Sequence, residues 1–235
     1  MFGARWRAYL PRRFPHSFDP VTGVYRARRT TGVYRVSGPG APFATIVIEE
    51  LAALGARRFL LVGLAGSLRP ELRAGDLVVC TRAVRDEGTS HHYAPWAPYS
   101  VPARDLTRRL RAALEDHGVA YLAASSWTTD APYRETRPEI RRFRERGVAT
   151  VEMEAAAAFT VARHLGREAA ALFVVSDHLD DRGWEPRFHD TRPALHRALE
   201  LAIATFATSP ESAPGAIRGS QGRARPRRGS SARAR

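Results

Sequence analysis

Between residues 24 and 207 the chain alternates short apolar runs with stretches of helical periodicity, and this alternation restricts its possible folds more than any single residue does. Strand-like runs fall at 24–28, 32–36, 59–62, 76–81, 119–123, 148–151 and 169–175. Helix-like segments fall at 43–54, 103–117, 137–146, 153–165 and 191–206. Strands that take turns with helices are covered on both faces, so the pattern predicts one α/β domain, a mixed central sheet flanked by helices. The first helix is expected to bury a stripe of Phe43, Ile46, Val47, Leu51 and Leu54, with Gly55 as its stop. Residues 85–100 read as a long polar and aromatic loop, a kind that tends to be functional.

Charge is distributed unevenly. The formal net charge is +13, and all 37 cationic side chains are Arg. Residues 1–35 hold 8 Arg against one acid and residues 213–235 hold 7 Arg and no acid, whereas residues 36–212 hold 22 Arg against 23 acids. The basic character therefore belongs to the two ends, and the body, with no basic stripe, gives no reason to expect specific nucleic-acid binding. Residues 1–20, with three Pro and Arg12-Arg13, are expected to form an irregular basic leader. Residues 21–210 form the domain, and the Gly-, Ser-, Pro- and Arg-rich stretch 211–235 is expected to be a disordered tail, too poor in apolar residues to offset ordering entropy. No window approaches the run of about 20 apolar residues that spans a bilayer, and no signal-type apolar stretch opens the sequence, so a cytoplasmic location is expected. The lone cysteine, Cys80, lies in the run Leu77-Val78-Val79-Cys80 and reads as a small core residue.

Several polar residues stand where chemistry is expected. Asp177 ends the apolar run Ala171-Leu172-Phe173-Val174-Val175, which puts a carboxylate at the carboxyl edge of a buried strand, where open α/β sheets collect ligands. Glu152 and Glu154 flank Met153 at a strand-to-helix junction. Residues two apart on a helix point about 200° apart, so the two carboxylates share a face only if Glu152 lies on the turn before the helix. His91 and His92 are adjacent but have no third ligand at metal spacing, so no metal is expected.

Four segments in this order resemble the nucleoside phosphorylase and nucleosidase superfamily. They are Gly38-Pro39-Gly40-Ala41-Pro42; Val62-Gly63-Leu64-Ala65-Gly66-Ser67 with Gly75-Asp76 and Arg85-Asp86-Glu87-Gly88-Thr89-Ser90; Val151-Glu152-Met153-Glu154-Ala155; and Val174-Val175-Ser176-Asp177-His178. The uridine phosphorylase branch is most similar over the first two.

The resemblance implies cleavage of a nucleoside N-glycosidic bond, with phosphate as co-substrate and no cofactor, in a homo-oligomer. It makes Glu154 the ligand of the ribose hydroxyls, with Met153 packing on the sugar and Glu152 also within reach of it. Asp177, with Ser176 beside it, becomes the general acid on the base, and Asp at this place points toward purines. Arg187, with Arg182 as an alternative, is the cation that would pair with Asp177. Ser126, Trp127, Tyr133, Arg134 and Glu135 fall in the base-recognition stretch, and His92 and Tyr93 in a loop that lines the pocket or a subunit contact.

The chain also departs from the family pattern. From the residues given, the family's usual first strand and phosphate loop are expected to be absent unless the true start lies upstream, and Leu61 and Leu64 stand where phosphate ligands are expected. Gly38 and Gly40 remain as candidate phosphate ligands, and Arg5, Arg7, Arg12 and Arg13 of the leader as replacement cations. Water as the acceptor, or a catalytically degenerate binding paralogue, are the alternatives.

Overall fold

A computed structural model describes residues 24–28, 31–34, 38–180 and 183–207, with side chains from residue 38 onward. The proposed basic leader and tail, and Arg182, lie outside the described residues. Two short strands, β1 (Val24–Arg28) and β2 (Thr31–Tyr34), pair antiparallel in a sheet of their own. The remaining strands are β3 (Arg58–Ser67), β4 (Leu77–Asp86), β5 (Tyr99–Ser100), β6 (Leu122–Thr129), β7 (Val148–Glu152), β8 (Glu168–Asp180) and β9 (Gly183–Pro186). They form a seven-stranded mixed sheet in the order β5-β4-β6-β7-β3-β8-β9. The helices are α1 (Ala41–Ala53), α2 (Arg104–Asp116), α3 (Arg137–Glu145), α4 (Ala155–His164) and α5 (Arg192–Ala207). Among the described residues no helix is long and apolar enough to cross a membrane.

The sheet curls back on itself. The middle of β8 pairs in parallel with β3, and Phe173 and Val174 also face Val78 and Leu77 of β4 in an antiparallel ladder. Strands β4, β6, β7, β3 and β8 thereby close a ring, with both faces of β4 and β8 covered. Period-2 alternation sorts their side chains. Leu77, Val79, Leu172 and Val174 join Leu110, Leu114 and Leu201 from α2 and α5, while Val78, Cys80, Ala171, Phe173 and Val175 join the cluster that takes in α1 and α4. A third cluster sets Ile140 and Phe143 of α3 against Trp127, Val148, Val151 and Leu179.

The buried stripe of α1 differs from the expected one. Ala44, Thr45, Val47, Ile48 and Ala52 face inward, whereas Ile46 is 52% and Leu54 40% exposed. The neighbouring α4 starts with four fully buried alanines, Ala155 to Ala158, so it packs closely on the α1 face that carries Ala44, Val47 and Ile48, and Ile46 and Leu54 are left on the outer side. Cys80 is fully buried, and burial, followed by the charge of Glu152, raises its thiol well above the usual range.

Candidate functional site

The closed ring of strands brings the ends of β3, β6, β7 and β8 together with the N-termini of α1 and α4. Glu154 is the N-cap residue of α4. Its Oε1 accepts the Gly40 N–H at 2.5 Å and its Oε2 lies 3.3 Å from its neighbour's amide, Met153 N–H. Gly40 in turn caps α1 with φ +108°, a backbone region that favours glycine. One carboxylate thus ties together the starts of two helices, whose dipoles favour negative charge there. Burial still pushes the Glu154 carboxyl up from its ordinary value, with the two amides working against that rise.

Glu152 ends β7 and has a different environment. Its Oε2 accepts the Glu154 and Ala155 N–H groups at 2.8 and 2.7 Å, and its Oε1 accepts the Thr128 hydroxyl at 2.5 Å and lies 3.3 Å from Ser126 Oγ. Thr128 Oγ1 accepts the next amide, Ala156 N–H, at 3.0 Å. The first free amides of α4 are therefore satisfied by Glu152 and Thr128, which fixes the helix start and aims Glu154. Burial, then the charge of Glu154, raises the Glu152 carboxyl to about 7. Glu152 was expected to reach ribose. The structure instead turns both of its oxygens into the protein, and Ser126 belongs to the same buried network through Thr150.

Across from this group, Asp177 lies on β8 where the β3–β8 register shifts between Ala65 and Gly66, so that Gly66 pairs with Asp177. Ser176 Oγ lies 2.5 Å from Asp177 Oδ1, and Trp184 Nε1 donates to Oδ2 at 2.8 Å. Trp184 reaches Asp177 because β9 pairs antiparallel with β8. Leu179 faces Trp184, and Asp177 is the next residue on the same side of the strand. Glu135, half-buried just beyond the short 3₁₀ turn Pro132–Arg134, completes the group. Its carboxyl is raised to about 7 by burial and then by the charge of Asp177.

These carboxyls stand at the places that the sequence motifs mark, and comparison with known proteins shows the family of the chain. The phosphorylase superfamily profile matches residues 7–208. The chain belongs to this superfamily. Its similarities include a uridine phosphorylase of Treponema pallidum, 31% identical over 204 residues that cover 81% of this chain and 79% of that protein. A guanosine phosphorylase of Halorubrum lacusprofundi is 34% identical over 143 residues, 61% of this chain and 59% of that protein. With a uridine phosphorylase of Thermococcus kodakarensis the match likewise spans only 55% of the relative's length. An AMP nucleosidase crystal structure from Bacteroides thetaiotaomicron shares the fold at a TM-score of 0.68 and 20% identity, over 88% of this chain and 96% of that one.

Other residues expected in this phosphorylase-superfamily site have different surroundings from those expected. Trp127 is buried against Phe143, ring centroids 4.4 Å apart, and its Nε1 donates to Asp86 Oδ2 at 2.8 Å, so its ring is core and offers no face to a base. Tyr133 is 99% exposed and Arg134 is also at the surface. The Arg187 guanidinium pairs with Glu185 Oε1 at 2.6 Å, not with Asp177; only its backbone N–H comes near, donating to Ser176 O at 2.8 Å. Gly40 spends its N–H on Glu154, and Gly38, half-buried, lies just before it. Tyr93 stacks edge-on to His164 at 5.5 Å, and together with the exposed His92 it lines an open groove with Pro42, Thr45 and Ile46 of α1. Among the described residues no group of three or more His, Cys, Asp or Glu is placed to hold a metal.

Trp184 is a site residue to which the sequence motifs do not point, and Gly66, part of the glycine segment, had no role assigned to it. A lone Trp seven residues beyond Asp177, just after a glycine in a charged stretch, was the available signal.

Proposed function

We propose that this protein cleaves the N-glycosidic bond of a purine nucleoside with phosphate, giving the free base and ribose 1-phosphate. Breaking that bond leaves positive charge on the sugar and negative charge on the departing base, and both need stabilisation. Glu154, held between two helix starts, meets the sugar: it grips the hydroxyls and offsets the developing positive charge, with Met153 beside it. The Asp177 side of the site meets the base. The observation that carries this reading is the Asp177 carboxylate on β8, held by Ser176 and Trp184, and brought by Gly66, which pairs with both Asp177 and Val151, to the strand that leads into Glu152 and Glu154. The matched phosphorylases favour phosphate as the acceptor.

One observation favours water instead. Leu61 and Leu64 hold the places where the family resemblance puts phosphate ligands. The two readings separate by product. Purified protein is incubated with inosine, adenosine and uridine, with and without phosphate, and the sugar is identified. Ribose 1-phosphate formed only when phosphate is present is the expected result; free ribose formed without phosphate establishes hydrolysis; turnover of uridine alone overturns the purine assignment.

A further inference from the structure

Trp184 keeps its ring at the surface and its N–H in the site. It is 60% exposed on β9, a strand whose four residues are all exposed, yet its Nε1 donates at 2.8 Å to Oδ2 of Asp177, which is only 7% exposed. Two neighbours hold the indole in this position. Its backbone pairs with Leu179 of β8, and Phe188 meets its ring edge-on with centroids 6.1 Å apart. The cation expected at this carboxylate, Arg187, is engaged by Glu185 instead, so an uncharged indole supplies the donor at Oδ2.

An indole N–H can only donate, and this makes the two oxygens of Asp177 unequal. In a protonated carboxyl the carbonyl oxygen is the better acceptor, so a donor fixed at Oδ2 favours the proton on Oδ1. The backbone of β3 also closes on Oδ2, since a Cβ built on Gly66 would lie 2.9 Å from it. Oδ1 has a partner of another kind, the Ser176 hydroxyl at 2.5 Å, which can donate or accept. Ser176 is fully buried, and its Oγ lies 3.4 Å from the Ala65 carbonyl oxygen as well. Its hydrogen can therefore point to Oδ1 when the carboxyl is ionised and to Ala65 when Oδ1 carries the proton.

Resting on the nucleoside-cleaving reading above, in which Asp177 meets the base, we propose that Trp184 is the positioning residue of this acid: its N–H holds the carboxyl by Oδ2 and leaves Oδ1 as the oxygen that gives a proton to the departing base. The reaction balances as follows. The bond between C1′ and the base nitrogen breaks with its electron pair going to the base. A ring nitrogen of the base takes the proton from Oδ1, so the base departs neutral and Asp177 remains as a carboxylate, with the Trp184 N–H on Oδ2 and the Ser176 hydroxyl turned to Oδ1. A phosphate oxygen forms the new bond to C1′.

The test is a double-mutant cycle of Trp184→Phe and Asp177→Ala, read on two substrates. W184F keeps an aromatic ring against Phe188 and removes the N–H. Inosine needs a proton on its departing base; 7-methylguanosine carries a cationic base that leaves neutral without one. W184F is expected to lose roughly tenfold or more in kcat/KM on inosine, chiefly in kcat, the scale of one hydrogen bond to a carboxyl, and to cleave 7-methylguanosine at close to the wild-type rate. D177A should lose roughly 10²-fold or more on inosine, and adding W184F to it should cost nothing further, because the indole acts through that carboxyl. Wild-type kinetics of W184F on inosine, equal losses on both substrates, or losses that multiply in the double variant overturn the proposal while leaving nucleoside cleavage intact. A wild-type protein that cleaves neither substrate overturns the purine nucleoside reading and this assignment with it.

Discussion

Glu154→Ala is expected to lower kcat/KM for nucleoside cleavage by roughly 10²-fold or more, the usual cost of removing a group that stabilises transition-state charge. Glu154 is not an ordinary helix-cap acid. Burial disfavours its charge, and its surroundings supply only partial compensation, the Gly40 and Met153 amides. A carboxylate kept where ionisation is disfavoured suits a site whose charge is used when a cationic sugar forms beside it. Glu154→Gln separates that role from the structural one. The amide oxygen still accepts the Gly40 N–H, so E154Q should unfold in denaturant within about 1 kcal/mol of wild type, yet lose nearly as much activity as E154A. E154A should also lose about 1–2 kcal/mol, because the Gly40 N–H is then left without its acceptor. Wild-type turnover by E154Q would remove Glu154 from the chemistry; a large loss of stability in E154Q would mean that its charge serves the fold.

The same two segments indicate how far sequence alone carries such a site. The strand runs at 148–151 and 169–175 are visible because both sheet faces are covered and the runs are continuously apolar. Their functional extensions are not. Strand β8 continues through Ser176, Asp177 and His178 to Asp180, and β3 through Gly63, Leu64, Ala65 and Gly66 to Ser67, because tertiary pairing keeps these residues extended where local preference does not. Glu154 was legible as a carboxylate at an element end, and Asp177 as the carboxylate that closes an apolar run, although β8 itself runs three residues further. The internal duty of Glu152 was not legible, since which carboxylate caps α4 depends on Thr128 of a strand 24 residues away in sequence. Trp127 is core and the unassigned Trp184 reaches Asp177 for a similar reason. Trp127 sits in a strand whose last six residues, from Ala124 onward, are all buried, whereas Trp184 lies on an exposed edge strand of four residues with no alternating pattern to reveal it.

Gly66→Ala should disturb fold and chemistry together. A methyl group built on Gly66 meets the tip of Leu179 in direct overlap and comes within 2.9 Å of Asp177 Oδ2 and 3.2 Å of Val151 Cγ1. Leu179 is buried against the α3 cluster, and Val151 is β-branched and stiff, so neither yields readily. The softest response is for the Asp177 carboxylate to move, and Oδ2 is the oxygen that holds the Trp184 N–H. Overpacking of this kind costs about 1–3 kcal/mol, which denaturant unfolding would register. A displacement on the order of 1 Å at a group facing the substrate can cost 10²-fold in rate, so G66A should lose at least about tenfold in turnover beyond any loss of folded protein. Gly63→Ala is the matched control. It lies three residues back on β3 with nothing within 4 Å of the added methyl, and alanine removes some of the backbone entropy that glycine loses on folding, so G63A should be neutral or slightly stabilising and fully active. If G66A and G63A behave alike, the close approach of Gly66 to Asp177 is not what sets that carboxylate. If only G66A fails, the glycine turn serves this site as clearance for an acid, because at Gly66 a backbone without Cβ lets the end of β8 bring Asp177 against β3.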